Sequence, residues 1–127
     1  MSNPVGWFEI YVQDMPRARA FYETVLGRKL ERLESPGIEM WAFTMAPDQP
    51  GAAGSLVHMD GFPSGGNSTL VYFISDDCAV EAARVAAAGG KVFKEKFSIG
   101  QYGFIVLALD TEGNMFGLHS MKLPRRL

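Results

Sequence analysis

The residues best suited to chemistry stand near the start of the chain, in the run Trp7-Phe8-Glu9-Ile10-Tyr11-Val12. Period-2 alternation puts Trp7, Glu9 and Tyr11 on one side of a strand and Phe8, Ile10 and Val12 on the other. The second side is wholly hydrophobic. The first carries an indole, a carboxylate and a phenol, which suits a cavity wall better than a packed core. Glu9 could anchor a ligand there or act as a general base. His58 and His119 are the only histidines, and either could bind a metal or move a proton. Trp41 and Phe43 share one face of another apolar run and could stack on a planar ligand or pack into a core. Cys78 is the single cysteine and reads as an incidental thiol. No G-x-S-x-G elbow, phosphate-cradling glycine loop or H-E-x-x-H helix is present, which excludes serine-hydrolase, nucleotide-binding and zincin chemistry.

The elements that must hold these residues occur twice. After the first strand, Asp14 can cap a helix in which Ala18, Phe21, Tyr22, Val25 and Leu26 share a face, with Pro16 in the first turn and Gly27 past the end. Further on comes the apolar run Leu70-Val71-Tyr72-Phe73-Ile74, then Asp76-Asp77, then Ala79, Ala82, Ala83, Ala86 and Ala87 at helical spacing, closed by Gly89-Gly90. Asp14 to Gly27 and Asp76 to Gly89 are both thirteen residues apart. Strand-like runs follow at 30–33, 40–44 and 55–58, and again at 91–94, 104–109 and 115–120. The expected fold is α+β: two tandem βαβββ modules, at about 6–59 and 69–121, joined by a turn-rich connector at about 60–68 and followed by a basic tail at 122–127. One helix per module covers one face of each sheet. The sheets should therefore form an open cupped half-barrel with the helices on its convex side. Gly100-Gln101-Tyr102-Gly103 reads as a hairpin turn or a flap over the cup.

Composition narrows the function classes. With 127 residues, 47% of them apolar, the chain can bury one core but not two. Acidic residues number 14 and basic residues 12, so no strong field points to nucleic acid or an anionic membrane. A lone cysteine excludes an internal disulfide and a cysteine zinc cluster. No run approaches the ~20 apolar residues of a membrane span. The opening Met1-Ser2-Asn3-Pro4 lacks the basic-then-apolar pattern of a secretion signal, and a cytoplasmic protein is expected.

In order and spacing these pieces resemble the vicinal-oxygen-chelate superfamily, the glyoxalase, bleomycin-resistance and extradiol-dioxygenase group. The likeness runs from about residue 6 to 121. It rests on Val12-Gln13-Asp14 leading into Ala20-Phe21-Tyr22 and Val25-Leu26-Gly27, on Ala88-Gly89-Gly90-Lys91-Val92, and on Asp110-Thr111-Glu112-Gly113-Asn114. Thr111 stands where the family usually has proline, yet Gly113 still supplies a permissive backbone. In metal-dependent relatives four strands offer His or Gln, Glu, His and Glu to a divalent ion. The matching positions here are Trp7, Ser55, Leu70 and Gly117. An indole, a hydroxyl, an isobutyl group and a hydrogen atom cannot replace imidazoles and carboxylates. The resemblance therefore implies a member without the family's metal site and with no cofactor.

Strand parity assigns Trp7, Glu9, Tyr11, Ser55, Val57, Leu70, Tyr72, Met115 and His119 to the cup, with Trp41 and Phe43 as stacking candidates. Such a lining suits a small, mostly apolar organic ligand, with Glu9 as the candidate anchoring or catalytic carboxylate. The resemblance also implies a homodimer, which would cover sheet edges and the open side of the cup. The rival expectation is a lyase or isomerase similar to glyoxalases, using Glu9 alone or with His119 and a recruited divalent metal. A third is an interaction module whose cup is filled by its own side chains.

Overall fold

The computed structural model describes residues 3–121, so the tail at 122–127 lies outside the described residues. The first module comprises β1 (Trp7–Tyr11), α1 (Met15–Leu26), β2 (Glu31–Leu33), β3 (Glu39–Ala42) and β4 (Ala53–His58). The second comprises β5 (Tyr72–Ile74), α2 (Cys78–Val85), β6 (Lys91–Ser98), a 3-10 turn (Gly100–Tyr102), β7 (Phe104–Leu109) and β8 (Met115–Ser120). Both sheets have the same order, β1-β4-β3-β2 and β5-β8-β7-β6. In each, the first and last strands of the module pair in parallel. The expected βαβββ duplication is present, as two mixed four-stranded sheets that do not close into a barrel.

Local chemistry explains the helices. The Asp14 carboxylate accepts the Arg17 N–H at 3.0 Å, and Gly27 ends α1 with φ at 68°. In α2 the cap is Asp77, whose carboxylate accepts the Ala79 N–H at 3.1 Å. The inward face of α2 differs from the expected alanine stripe. Cys78, Ala82 and Val85 are buried, whereas Ala79, Ala83, Ala86 and Ala87 are exposed. Thiol and isopropyl groups remove more apolar area from water than alanine methyls, and they take the inward positions.

One core serves both modules. Tyr22 on α1 is fully buried, its ring 5.8 Å from Phe43, 5.9 Å from Phe73 and 5.5 Å from Phe116. Phe8, Phe43 and Phe73 form a second triangle at 5.7, 6.1 and 5.4 Å. Rings from the two halves thus interlock in tilted and edge-on pairs. This packing corrects one expectation. Trp41 pairs with Leu56 and Met40 with Val57, so Trp41 and Phe43 face the helices and not the cup. Phe43 packs against the core, and the Arg19 guanidinium lies 3.4 Å from the Trp41 ring centre.

The turn at 110–114 locks the modules together. Asp110 accepts the Tyr22 hydroxyl at 2.6 Å and the N–H groups of Glu112 and Asn114 at 2.7 and 2.8 Å. The Glu112 carboxylate reaches into the first module. It accepts the N–H groups of Gln13 and Asp14, both at 2.9 Å, and two N–H groups of Arg17 at 2.7 and 3.0 Å. Thr111 adds its hydroxyl at 2.8 Å, a donor that proline lacks. Burial pushes the Glu112 carboxyl up, but Arg17 and the Asp14, Thr111 and Gln13 donors outweigh it and hold the group at about 2.

Because that value lies below the ordinary 4.5, the stabilisation is complete above the ordinary value and is lost as pH falls toward 2. Glu112→Gln should lower unfolding free energy near neutrality by about 3 kcal/mol and flatten its pH dependence in that acid window. Urea titrations at stepped pH measure both, and an unchanged slope in the variant would assign the titration elsewhere. Two glycines make a contrasting pair. An added Cβ would sit 2.5 Å from the Phe8 ring at Gly54 and 2.3 Å from the Tyr72 ring at Gly117. Phe8 is wedged among core rings, whereas Tyr72 is 43% exposed and can swing outward. Gly54→Ala should cost about 2–3 kcal/mol and Gly117→Ala about 1 kcal/mol; equal midpoints in denaturant would refute the distinction.

Candidate functional site

A cleft of about 560 Å3 runs beside β1, which is an edge strand of its sheet. Its walls are Trp7, Glu9 and Tyr11 from β1, Gly65 to Asn67 from the connector, and Met115 at the start of β8. Phe8, Tyr22 and Phe116 reach it from the core side. That volume falls in the range of small-molecule sites, ~300–1,000 Å3.

Alternate residues of an extended strand share a face, which brings the three polar side chains of β1 together. The Trp7 Nε1–H donates to one oxygen of Glu9 at 3.3 Å, and the Tyr11 hydroxyl donates to the other at 3.0 Å. Each carboxylate oxygen keeps lone-pair capacity for a further donor. The hydrogen bond to Glu9, then burial, then the charge of Glu9 raise the Tyr11 phenol above its ordinary value. It therefore keeps its proton and remains a donor at neutral pH. Tyr11 also stacks on Phe62 at 5.4 Å and 25°. The result is an exposed carboxylate of fixed orientation, rimmed by aromatic rings. It can accept hydrogen bonds, pair with a cation or take a proton.

The connector is built into the site. Gly65 N–H donates to the Asn114 side chain at 2.6 Å, and Ser64 Oγ–H donates to the Glu112 carbonyl at 2.7 Å. Asn67 bonds Met115 twice, accepting its N–H at 3.0 Å and donating to its carbonyl at 2.6 Å. Asn114 donates to the Tyr11 carbonyl at 3.0 Å. The turn-forming composition of residues 60–68 reads as a connector alone. Its available signal was the pair Gly65-Gly66, which here takes φ values of 85° and 59° that place a backbone wall against the cleft.

Of the expected cup residues, Trp7, Glu9, Tyr11 and Met115 meet in this cleft. Ser55 lies across the β1–β4 ladder from Glu9, and Val57 across from Tyr11. Both are fully buried, and Ser55 Oγ has no hydrogen-bond partner among the described residues. Leu70 and Tyr72 are partly exposed and stand outside the cleft. His119 pairs with Ile74, and its Nε2 lies 2.6 Å from the Tyr102 carbonyl. It does not line the cleft, so Glu9 and His119 are not joined in one site.

At three of the four positions where the resemblance places metal ligands, the residues present offer a divalent ion no lone pair. Trp7 presents an N–H donor that is directed at Glu9, Leu70 has no donor atom, and the Tyr72 ring covers the space a side chain at Gly117 would need. Among the described residues no three His, Cys, Asp or Glu side chains group closely enough to hold a metal. No described helix is long and apolar enough to cross a membrane.

The pattern of the Glyoxalase/Bleomycin resistance protein/Dioxygenase superfamily matches residues 5–118. The chain belongs to this superfamily. The proteins named "Putative glyoxylase CFP32" of Mycobacterium bovis and Mycobacterium tuberculosis are 31% identical to it over 112 residues, 88% of this chain and 42% of theirs. The chain thus spans about two fifths of the length of these relatives. Glyoxalase I from Zea mays superposes with a TM-score of 0.71 at 24% identity, over 93% of this chain and 45% of the maize chain. TnmS3, an antibiotic binding protein from Streptomyces sp. CB03234, gives 0.66 at 26% identity, over 94% of this chain and 97% of its own. Over the superposed residues the two solved structures share this chain's fold.

The Tyr11–Glu9 bond is open to direct test. Alkaline ultraviolet titration of the parent against Tyr11→Phe isolates the Tyr11 ionisation, which should lie above 10.0. Adding Glu9→Gln should bring it down. An unmoved titration would mean that the carboxylate does not hold the hydroxyl.

Proposed function

We propose that this chain binds a small, mostly apolar organic molecule in the cleft beside β1, without a metal ion, as a cytoplasmic homodimer. The observation that carries this reading is the Glu9 carboxylate, oriented by Trp7 and Tyr11 in a cleft of ligand size, in a chain whose four family metal positions hold Trp7, Ser55, Leu70 and Gly117. Apolar burial against Trp7, Tyr11 and Met115 drives binding, and Glu9 sets orientation. Leu70, Tyr72 and His119 offer the remaining concave surface onto which a larger ligand or a second copy extends, with Ser55 and Val57 buried beneath Glu9 and Tyr11. The likeness to TnmS3, named as an antibiotic binding protein and matched over nearly its whole length, supports a binding role. The relatives of about twice this length support a dimer, because two copies would supply the same number of modules.

A second reading is favoured by the free lone pairs of Glu9 and by the relatives named as putative glyoxylases. In it Glu9 is the general base of a lyase or isomerase. His119 stands outside the cleft, so this chemistry would use Glu9 alone.

Thermal shift and calorimetry with a panel of planar aromatic compounds test the proposal on chelator-treated protein. A ligand at ~100 times its Kd should stabilise the fold by about 2.7 kcal/mol, equally before and after chelation, and Trp7→Ala should weaken it by about tenfold. A tightly held, stoichiometric divalent ion, or ligand response that chelation abolishes, would overturn metal-independent binding. Turnover that Glu9→Gln abolishes while binding persists would establish the lyase reading.

A further inference from the structure

The charge in the cleft has one sign. Among the described residues that line it, Glu9 is the only acidic one, and no arginine or lysine is among them. Its two partners, an indole N–H and a phenol O–H, are neutral. They orient the carboxylate without cancelling its charge. Nearby cations of the first module are engaged elsewhere: Arg17 pairs with Glu112, and Arg19 lies over Trp41. The other polar groups of the cleft are amides, hydroxyls and backbone.

From this we propose that the cleft selects organic cations: an apolar, aromatic body bearing a protonated amine or quaternary ammonium, the cationic end at Glu9 between Trp7 and Tyr11. This deepens the ligand-binding reading above and rests on it. Three physical effects favour the assignment. A neutral ligand filling the cleft would strip water from Glu9 and leave its charge unpaired, whereas a cation replaces that water. An anion would meet the carboxylate as a like charge. An ammonium at Glu9 also lies beside the indole and phenol rings, whose faces attract cations. The amides of Asn67 and Asn114 on the opposite wall are engaged with Met115, Gly65 and the Tyr11 carbonyl, so the body of the ligand meets the rings and Met115.

The test uses three probes of one shape: naphthylmethylammonium, naphthylmethanol and naphthoate. Calorimetry near neutral pH and low ionic strength should find the ammonium bound about tenfold more tightly than the alcohol, and the carboxylate weakest. Glu9→Gln should bring the ammonium to within about twofold of the alcohol, through weaker ammonium binding. Glu9→Lys should reverse the order of ammonium and carboxylate. Glu9 is exposed, so the variants should keep the parental melting temperature. Equal affinity of ammonium and alcohol for the parent protein would overturn the cation proposal and leave the ligand-binding reading standing. A preference that survives Glu9→Gln would also overturn it. No binding of any probe, at concentrations where aromatic panels also fail, would overturn both.

Discussion

Glu112 sits in the 110–114 turn of the second module, yet four of the five hydrogen bonds its carboxylate accepts come from Gln13, Asp14 and Arg17 in the first. A buried carboxylate without such donors would be expensive. Without that carboxylate the N–H groups of Gln13 and Asp14, where β1 gives way to α1, would lose their partner. Each module solves the other's problem, and neither solution exists until the two are in contact. The ion pair therefore fixes the entry of α1 against the end of β7 and, through the backbone, β1 against the start of β8. The cleft lies between those two strands.

The same turn controls the site from its other side chains. Asp110 holds the Tyr22 hydroxyl in the core, and burial together with Asp110 keeps that phenol protonated by pushing it well above its ordinary value. Asn114 holds Gly65 and the Tyr11 carbonyl. Three residues of one turn thus set the core, the module interface and the width of the cleft. The free charge of the site, Glu9, belongs to none of these networks. It is oriented only by its own strand neighbours, which is the arrangement expected of a group whose partner arrives from outside.

What was legible in the sequence was local. Period-2 and helical spacing, Asp14 at a cap and Gly27 past an end need no partner to be read, and the duplicated βαβββ order followed from them. The grouping of Trp7, Glu9 and Tyr11 was legible for the same reason, since one strand carries all three. Trp41 and Phe43 were harder, because a strand's alternation says which residues share a face but not which face is inward. That depends on their pairing with Leu56 and Gly54. The inward face of α2 was set by Cys78 and Val85, isolated large groups in an alanine background. Glu112 was least legible of all. Its partners lie 95 to 99 residues away, and only the resemblance of Asp110-Thr111-Glu112-Gly113-Asn114 to a family turn marked the segment. The position of the cleft, beside β1 and not across the whole concave face, depends on how the modules meet.

Asn67 has a consequence for the sheets themselves. Its side chain takes both peptide groups of Met115, the pattern a neighbouring strand would offer, while Asn114 occupies the Tyr11 carbonyl on β1. β1 and β5 are edge strands of their sheets, with backbone groups that need partners from outside the ladder. The β5–β8 ladder begins only at Tyr72 and Gly117, so at Met115 the Asn67 amide stands in for the strand that β5 does not extend to provide. One wall of the ligand-sized opening is thus fastened by a side chain that imitates a strand.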